Sequence, residues 1–472
     1  MSAMRTATAP RVPVAPPLAW WLFGGLCVAL SLFVHWVAGF ALLGLVVIWR
    51  ARPLDFLTSY LIVVLLGSFI NYGSGTLTAQ LTVFSGFLVF MLYCYVLERR
   101  WDALVIPRTP ATVPLLIYSA LTIVNYIRGM VVGNSARYAG LELLALLAMM
   151  SCLLVASKRF SKLELRFSVL WIWAMSLGHF ALGAYIFSII HMRTIGVYFA
   201  PVPGVVAMIV FNFAIRQKSR LRMFLWLLAM APLLAQQFLS FTRGFWMALI
   251  AGILFSLVVY IGRTAGVRDR MNRAGTALAM LAAIAAVGIA VLAVGLGIGH
   301  VFELAGNRFA SSAGTKYTWE SSSNVVRLVE YFHVLDLIVE SPIFGHGLGY
   351  FFVVREPINF SLVEQWFVHE QYLLVTLKQG LVGLALWVWM LVSFIRTGLR
   401  GRRLADPDEQ AWCVGTAALV VYCMVYGFVH FPLAETNTTF TFALAVGGTM
   451  RYVATDTIAL RWKNRRTDGS QA

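Results

Sequence analysis

Long apolar runs recur along the whole chain, each about 15 to 25 residues and separated by short polar clusters, and nothing constrains the fold more. A bilayer's hydrocarbon core, roughly 30 Å thick, needs about 20 such residues per crossing helix. Sixty per cent of the 472 residues are hydrophobic and 12% are charged, far more apolar surface than one soluble core absorbs. Strand-like alternation is absent, which argues against an outer-membrane barrel. The reading is an all-α polytopic membrane protein of about 12 to 14 transmembrane helices. Candidate spans are 19–34, 36–49, 57–70, 80–97, 113–127, 138–156, 167–190, 195–215, 223–239, 244–261, 277–298, 372–395, 413–429 and 440–453. The first span has no small-residue cleavage site after it and is read as retained.

The net charge of +17 has to be read loop by loop. With the N-terminus cytoplasmic, 28 of the 37 Lys and Arg residues fall on the inner side, including the pairs Arg99 and Arg100, Arg402 and Arg403 and the basic tail. The positive-inside rule then puts both termini in the cytoplasm. Topology accounts for these charges better than nucleic-acid binding does. Nine remain outside or near an outer helix end: Arg128, Arg137, Arg193, Arg243, Arg308, Lys316, Arg327, Arg355 and Lys378. They suggest an external site that wants positive charge.

One connection, 300–370, far exceeds the few residues that join ordinary spans. Its NVVRLVEYFHVLDLIVE stretch has helical periodicity. SPIFGHGLGY then gives a proline stop and a flexible turn around Gly345, Gly347 and Gly349, and the chain re-enters the membrane at VHEQYLLVTLKQGLVGL.

Within this frame a few side chains suit chemistry. Arg243, in LSFTRGFW between two spans, lies at the outer boundary, where a guanidinium holds phosphate bidentately. An interfacial anchor is the plain alternative, weakened by the small polar neighbours Ser240, Thr242 and Gly244. Arg327, Glu330 and Tyr331 sit at i, i+3 and i+4 and share one helix face, a candidate for binding substrate; His333, Asp336 and Glu340 form another, which solvation alone explains. His369, at the re-entry, suits a base that takes a proton from a hydroxyl, although a lone histidine is more often structural. His346, between two glycines, ranks second. Arg137 and Arg193, at outer ends of other spans, complete a cationic pocket by side and charge alone. The five cysteines show neither disulfide nor metal spacing, and no DxD, HExxH, Walker or dinucleotide motif occurs. The expectation is metal-independent chemistry without a cofactor, in which arginines neutralise an anionic leaving group.

FTRG around Arg243, RLVEY from Arg327, SPIFGHG ending at Gly347 and HEQYLLVTLKQGLVGL from His369 together resemble the bacterial lipopolysaccharide O-antigen ligases and their relatives among polysaccharide polymerases and protein O-oligosaccharyltransferases. Relatives commonly have tryptophan where Tyr331 stands and asparagine at Glu370. The resemblance implies a GT-C-like glycosyltransferase of the inner membrane with its active site facing the periplasm. It implies inverting transfer of a glycan from undecaprenyl diphosphate to a sugar hydroxyl, the lipid A core in ligases. His369 would be the base, and Arg243 and Arg327 the diphosphate binders. The corresponding division is a transmembrane bundle at 1–299, a periplasmic loop domain at 300–370, transmembrane helices at 371–455 and a cytoplasmic basic tail at 456–472. Partners are the lipid-linked donor, the lipid A core and membrane lipids, with no nucleic acid. A polymerase or protein O-oligosaccharyltransferase is the nearest alternative. A lipid-linked glycan transporter is more remote, because the span interiors look nearly free of charge, Glu142 and Lys378 both lying toward outer ends, and no inverted repeat is visible.

Overall fold

The computed structural model describes residues 107–157, 201–239, 242–262, 266–296, 319–355, 362–434 and 436–468, with isolated positions between 165 and 173. The candidate spans at 19–34, 36–49, 57–70 and 80–97 lie outside the described residues, as does most of 167–190.

Ten helices and one hairpin occur among the described residues. They are α1 (Thr112–Val132), α2 (Ala136–Ser157), α3 (Pro201–Ile215), α4 (Arg220–Leu239), α5 (Arg243–Ile261), α6 (Val267–Leu296), α7 (Trp319–Glu340), β1 (Phe352–Arg355), β2 (Leu362–Gln365), α8 (Gln371–Gly401), α9 (Pro407–Tyr426) and α10 (Thr436–Asp468). Each apolar run within the described residues has become a helix. Among the described residues four helical stretches are long and apolar enough to cross a membrane: Thr112–Val132, Ala136–Leu153, Arg243–Ile261 and Gln371–Gly401. The chain is therefore helical and membrane-embedded.

Local chemistry sets the helix ends. Gly133 takes a left-handed conformation (φ 90°) just past α1, and its N–H reaches back to the carbonyls of Gly129 and Met130. Asp406 caps α9, its side chain accepting from the Asp408 N–H at 2.8 Å, with Pro407 in the first turn. Helix α9 packs against α3, α5, α8 and α10, while α2 lies along α10 and α1 along α8. Small residues allow this close approach. A Cβ on Gly447 would stand 2.5 Å from the Cys152 carbonyl oxygen, and one on Gly398 would stand 2.6 Å from that of Cys413.

The re-entrant run is not one continuous helix. Gly380 breaks α8 (φ 68°, ψ −172°), and the 341–349 loop is spliced into the break. The carbonyls of Leu377 and Lys378, left without helical donors, accept from the N–H groups of His346 and Gly347, both at 2.9 Å. Beyond the break, the N–H groups of Leu381 and Val382 donate to the carbonyls of Pro342 and Ile343 at 2.8 and 3.2 Å. Every freed group named here is thus repaired by the loop, as a helix broken at membrane depth requires.

The glycine loop, read from its sequence as a flexible turn, is closely packed and hydrogen-bonded on both sides. Gly345 is left-handed (φ 64°), and a Cβ there would lie 2.5 Å from the Gln379 nitrogen. At Gly347 (φ 87°) a Cβ would lie 2.9 Å from the Gly129 Cα on α1. Arg128 on α1 donates to the carbonyls of Phe344 and Gly345, and Asn134 donates to those of His346 and Leu348 at 3.0 and 3.1 Å.

Candidate functional site

Helix α7 ends at Glu340 and hands the chain directly to this loop, so its position is fixed by the broken helix. Val334 and Ile338 on α7, Phe352 and Val354 on β1, and Val368, Leu374 and Leu377 form one buried apolar cluster. β1 and β2 pair antiparallel, Phe352 opposite Gln365 and Val354 opposite Val363, so alternate residues of β1 reach that cluster. This small core sets the spacing between α7 and the start of α8.

Across that spacing Glu330 meets His369. The His369 backbone N–H donates to Glu330 Oε1 at 2.8 Å, and the ring Nδ1 lies 2.7 Å from Glu330 Oε2. Glu330 is 1% exposed, whereas the His369 side chain keeps 31% of its surface open. A buried carboxylate accepting from Nδ1–H fixes the tautomer and ring orientation and leaves Nε2 with the lone pair. Sequence periodicity had placed Glu330 beside Arg327 and Tyr331 as a substrate-binding candidate; the structure turns it toward His369.

Arg327 and Tyr331 flank Glu330 on the same half-buried face, as the i, i+3, i+4 spacing requires. Burial raises the Tyr331 hydroxyl above the ordinary tyrosine range, against the opposing positive field of Arg327. Glu370 is engaged at the helix start. Its carboxylate caps α8, accepting from the N–H groups of Tyr372 and Leu373, and burial raises it above the ordinary range despite those two donors.

Two aromatic series converge on Phe367, whose ring stands edge-on to His369 at 5.3 Å. One comes from Arg137, whose guanidinium lies 5.8 Å from the Tyr138 ring centroid; Tyr138 stacks on Trp366 at 5.6 Å, and Trp366 abuts Phe367. The other runs Phe367, Phe431, His430, Tyr426 and Phe245, the last pair stacked at 4.2 Å. Phe245 is two residues past Arg243, the first residue of α5, so Arg243 starts its helix beside the α9 to α10 turn. Arg193 lies outside the described residues.

His346 serves the scaffold. Its ring Nε2 donates to the Leu337 carbonyl at 2.7 Å and the ring stacks on Tyr350 at 4.2 Å, pinning the glycine loop to α7.

Two of the cations that the sequence assigns to the outer side are likewise engaged in structure. Arg128 clamps the loop, and Lys378 forms an ion pair with Glu142 at 2.8 Å while donating to the Tyr350 carbonyl. Glu142 also accepts from the Gly349 N–H at 2.8 Å. Lys378 is 3% exposed, so this is a buried pair between α2 and α8, in spans whose interiors read as nearly free of charge. Spacing gives no hint of it, since the partners are far apart in sequence. The signal that was present is the cost of an unpaired charge at that depth. Beside the pair lies a cavity of about 70 Å³, lined by Tyr118, Thr122, Gln371 and Gln379 among apolar side chains. No group of three or more metal-ligating side chains occurs among the described residues.

Residues 228–388, about a third of the chain, match a family model. The family that this model describes is O-Antigen ligase. The matched stretch holds Arg243, Arg327, Glu330, His346 and His369 together with the glycine loop and the helix break, and it supports placing the chain in the O-antigen ligase superfamily. It also supports an enzyme. Arg137 and the Glu142 half of the buried pair lie outside the matched stretch. No curated protein matches the chain.

Proposed function

We propose that the protein is an inverting glycosyltransferase that moves a glycan from undecaprenyl diphosphate to a sugar hydroxyl of the lipid A core, on the periplasmic face of the inner membrane. The observation that carries this reading is the Glu330 and His369 pair on the helix face that also bears Arg327. Nε2 of His369 takes the proton from the acceptor hydroxyl as its oxygen attacks the anomeric carbon. The carbon to diphosphate-oxygen bond breaks on the opposite side, and the leaving group departs with the electron pair. Arg327 and Arg243 neutralise the charge that gathers on it, the role a divalent cation plays elsewhere. Glu330 stabilises the imidazolium formed in between. The apolar helix bundle admits the polyprenyl tail from the bilayer.

The test supplies purified protein in liposomes with undecaprenyl-diphosphate glycan and lipid A core, with chelator present, and looks for the joined product on a gel. A joined product that His369→Ala fails to make supports the ligase reading. Chains that lengthen without core would make the enzyme a polymerase, which shares the donor and differs in acceptor. Transfer that needs added metal would overturn the arginine-neutralised mechanism.

A further inference from the structure

Helix α7 has two apolar faces, and the site accounts for one of them. Val334 and Ile338 pack into the buried cluster, with Arg327, Glu330 and Tyr331 on the same half of the helix. At 100° per residue, Val325, Leu328, Phe332, Leu335 and Val339 fall in one sector, about 100° to 180° around the helix from Val334, with Asp336 at its edge. All five are exposed, Phe332 at 61% and Val339 at 77%. A soluble protein rarely leaves a contiguous apolar strip of this kind in water.

Continuity with the bundle identifies what covers it. Past α7, Ile343 and Phe344 are also more than half exposed, and the Phe344 carbonyl is held by Arg128 of α1 at 3.0 Å. α1 is one of the helices long and apolar enough to cross the membrane, and its Val124, Ile127, Val131 and Val132 are exposed around Arg128. The strip on α7 therefore runs into a surface that faces acyl chains. Polar residues flank it on one side, where Asp336 and Glu340 are exposed. Tyr138 and Trp366, stacked near the start of α2, supply the aromatic pair expected at headgroup level.

We infer that α7 is an interfacial helix, lying against the outer leaflet with the Val325 to Val339 strip in contact with bilayer lipid. Its roll about its own axis then turns Arg327 and Glu330 toward the protein, at the depth where a lipid's diphosphate sits. The inference stands on the exposed face and holds whatever glycan or acceptor the enzyme uses.

Nitroxide probes test it in the full chain reconstituted into phosphatidylethanolamine and phosphatidylglycerol vesicles. Phe332→Cys and Val339→Cys carry the probes on the strip, and Glu340→Cys carries the flanking control. Cys152, Cys413 and Cys423 are buried, and the unmodified chain supplies the labelling background. The expected result is high collision with oxygen and low collision with an aqueous nickel chelate at residues 332 and 339, reversed at 340. Free access of nickel to 332 and 339 would overturn the proposal. So would shielding from both reagents with spin-spin broadening, which means a second copy covers the strip. Shielding that arises only after undecaprenyl diphosphate is added would assign the strip to the donor's tail instead. Because no turnover is read, a failed transfer assay and a failed lipid contact remain separate results.

Discussion

Glu330 holds His369 at two points, 2.8 Å at the backbone N–H and 2.7 Å at Nδ1, so one carboxylate fixes both the chain and the ring of the residue that ends the external segment. The two residues come from different elements, α7 and the turn before α8, and the pair joins them directly. Glu330→Gln is the sharpest probe of that relationship. The amide keeps the size but loses a charge-assisted hydrogen bond worth about 1.5–3 kcal/mol, a fall in kcat of roughly 10- to 150-fold. KM for the donor should change far less. In His369→Ala the same Glu330 substitution should have almost no further effect, because residues acting as a unit are not additive. Additive losses in the double variant would mean that Glu330 acts apart from His369.

The membrane character and the helix order were legible because apolar runs of crossing length report their solvent directly, and the described parts of the runs at 113–127, 138–156 and from 195–215 onward are helical, apart from a turn at 427–429. The candidate site was legible in parts. Helical spacing put Arg327, Glu330 and Tyr331 on one face, yet periodicity relates residues within an element and says nothing about what the face meets. That Glu330 meets His369 depends on the hairpin core of Phe352, Val354 and Val368, a tertiary spacing with no local signature. The break at Gly380 escaped for a related reason. A glycine in an apolar run usually reads as a tolerated helix residue, and its left-handed geometry appears when the SPIFGHG loop arrives to satisfy the freed backbone groups. Glu370, which departs from the asparagine of relatives, falls at a helix N-cap where the side chain's oxygen is what the position uses.

Arginine geometry should matter more than arginine charge. Arg327→Lys and Arg243→Lys keep the positive charge and lose the planar fork that meets a phosphate with two donors. Each Lys variant is expected to retain measurable transfer with raised donor KM, and each Ala variant to lose transfer by about 10² or more. Equal loss in Lys and Ala variants, with KM unchanged, would take both residues out of donor binding.

Substitution of Gly380 by alanine should damage the fold before it damages chemistry. A Cβ there would sit 2.1 Å from the Ile343 carbonyl oxygen, and the residue is left-handed as well. The backbone strain alone costs about 1–3 kcal/mol. The expected outcome for Gly380→Ala is a lower thermal midpoint in detergent and poor yield. Gly275→Ala provides the contrast, since a Cβ there meets nothing within 4 Å, and it should be near neutral.

The Glu142 and Lys378 pair makes a prediction that turns on whether one partner is removed or both. Lys378→Met leaves the Glu142 carboxylate buried between α2 and α8 with its cation gone, a loss of about 3–5 kcal/mol for a broken buried pair. Glu142→Gln strands the ammonium in the same way, and it also weakens the anchor for the Gly349 N–H. The double variant Glu142→Gln, Lys378→Met removes both charges and keeps a polar acceptor for Gly349, so it should be more stable than either single variant. Thermal unfolding in detergent across the four proteins measures the coupling. Because the pair fastens the glycine loop and the loop carries α7, transfer activity should follow the same order as stability. A double variant no better than its worse parent would mean that the two charges do not stabilise each other and that the loop is held by the Arg128 and Asn134 contacts alone.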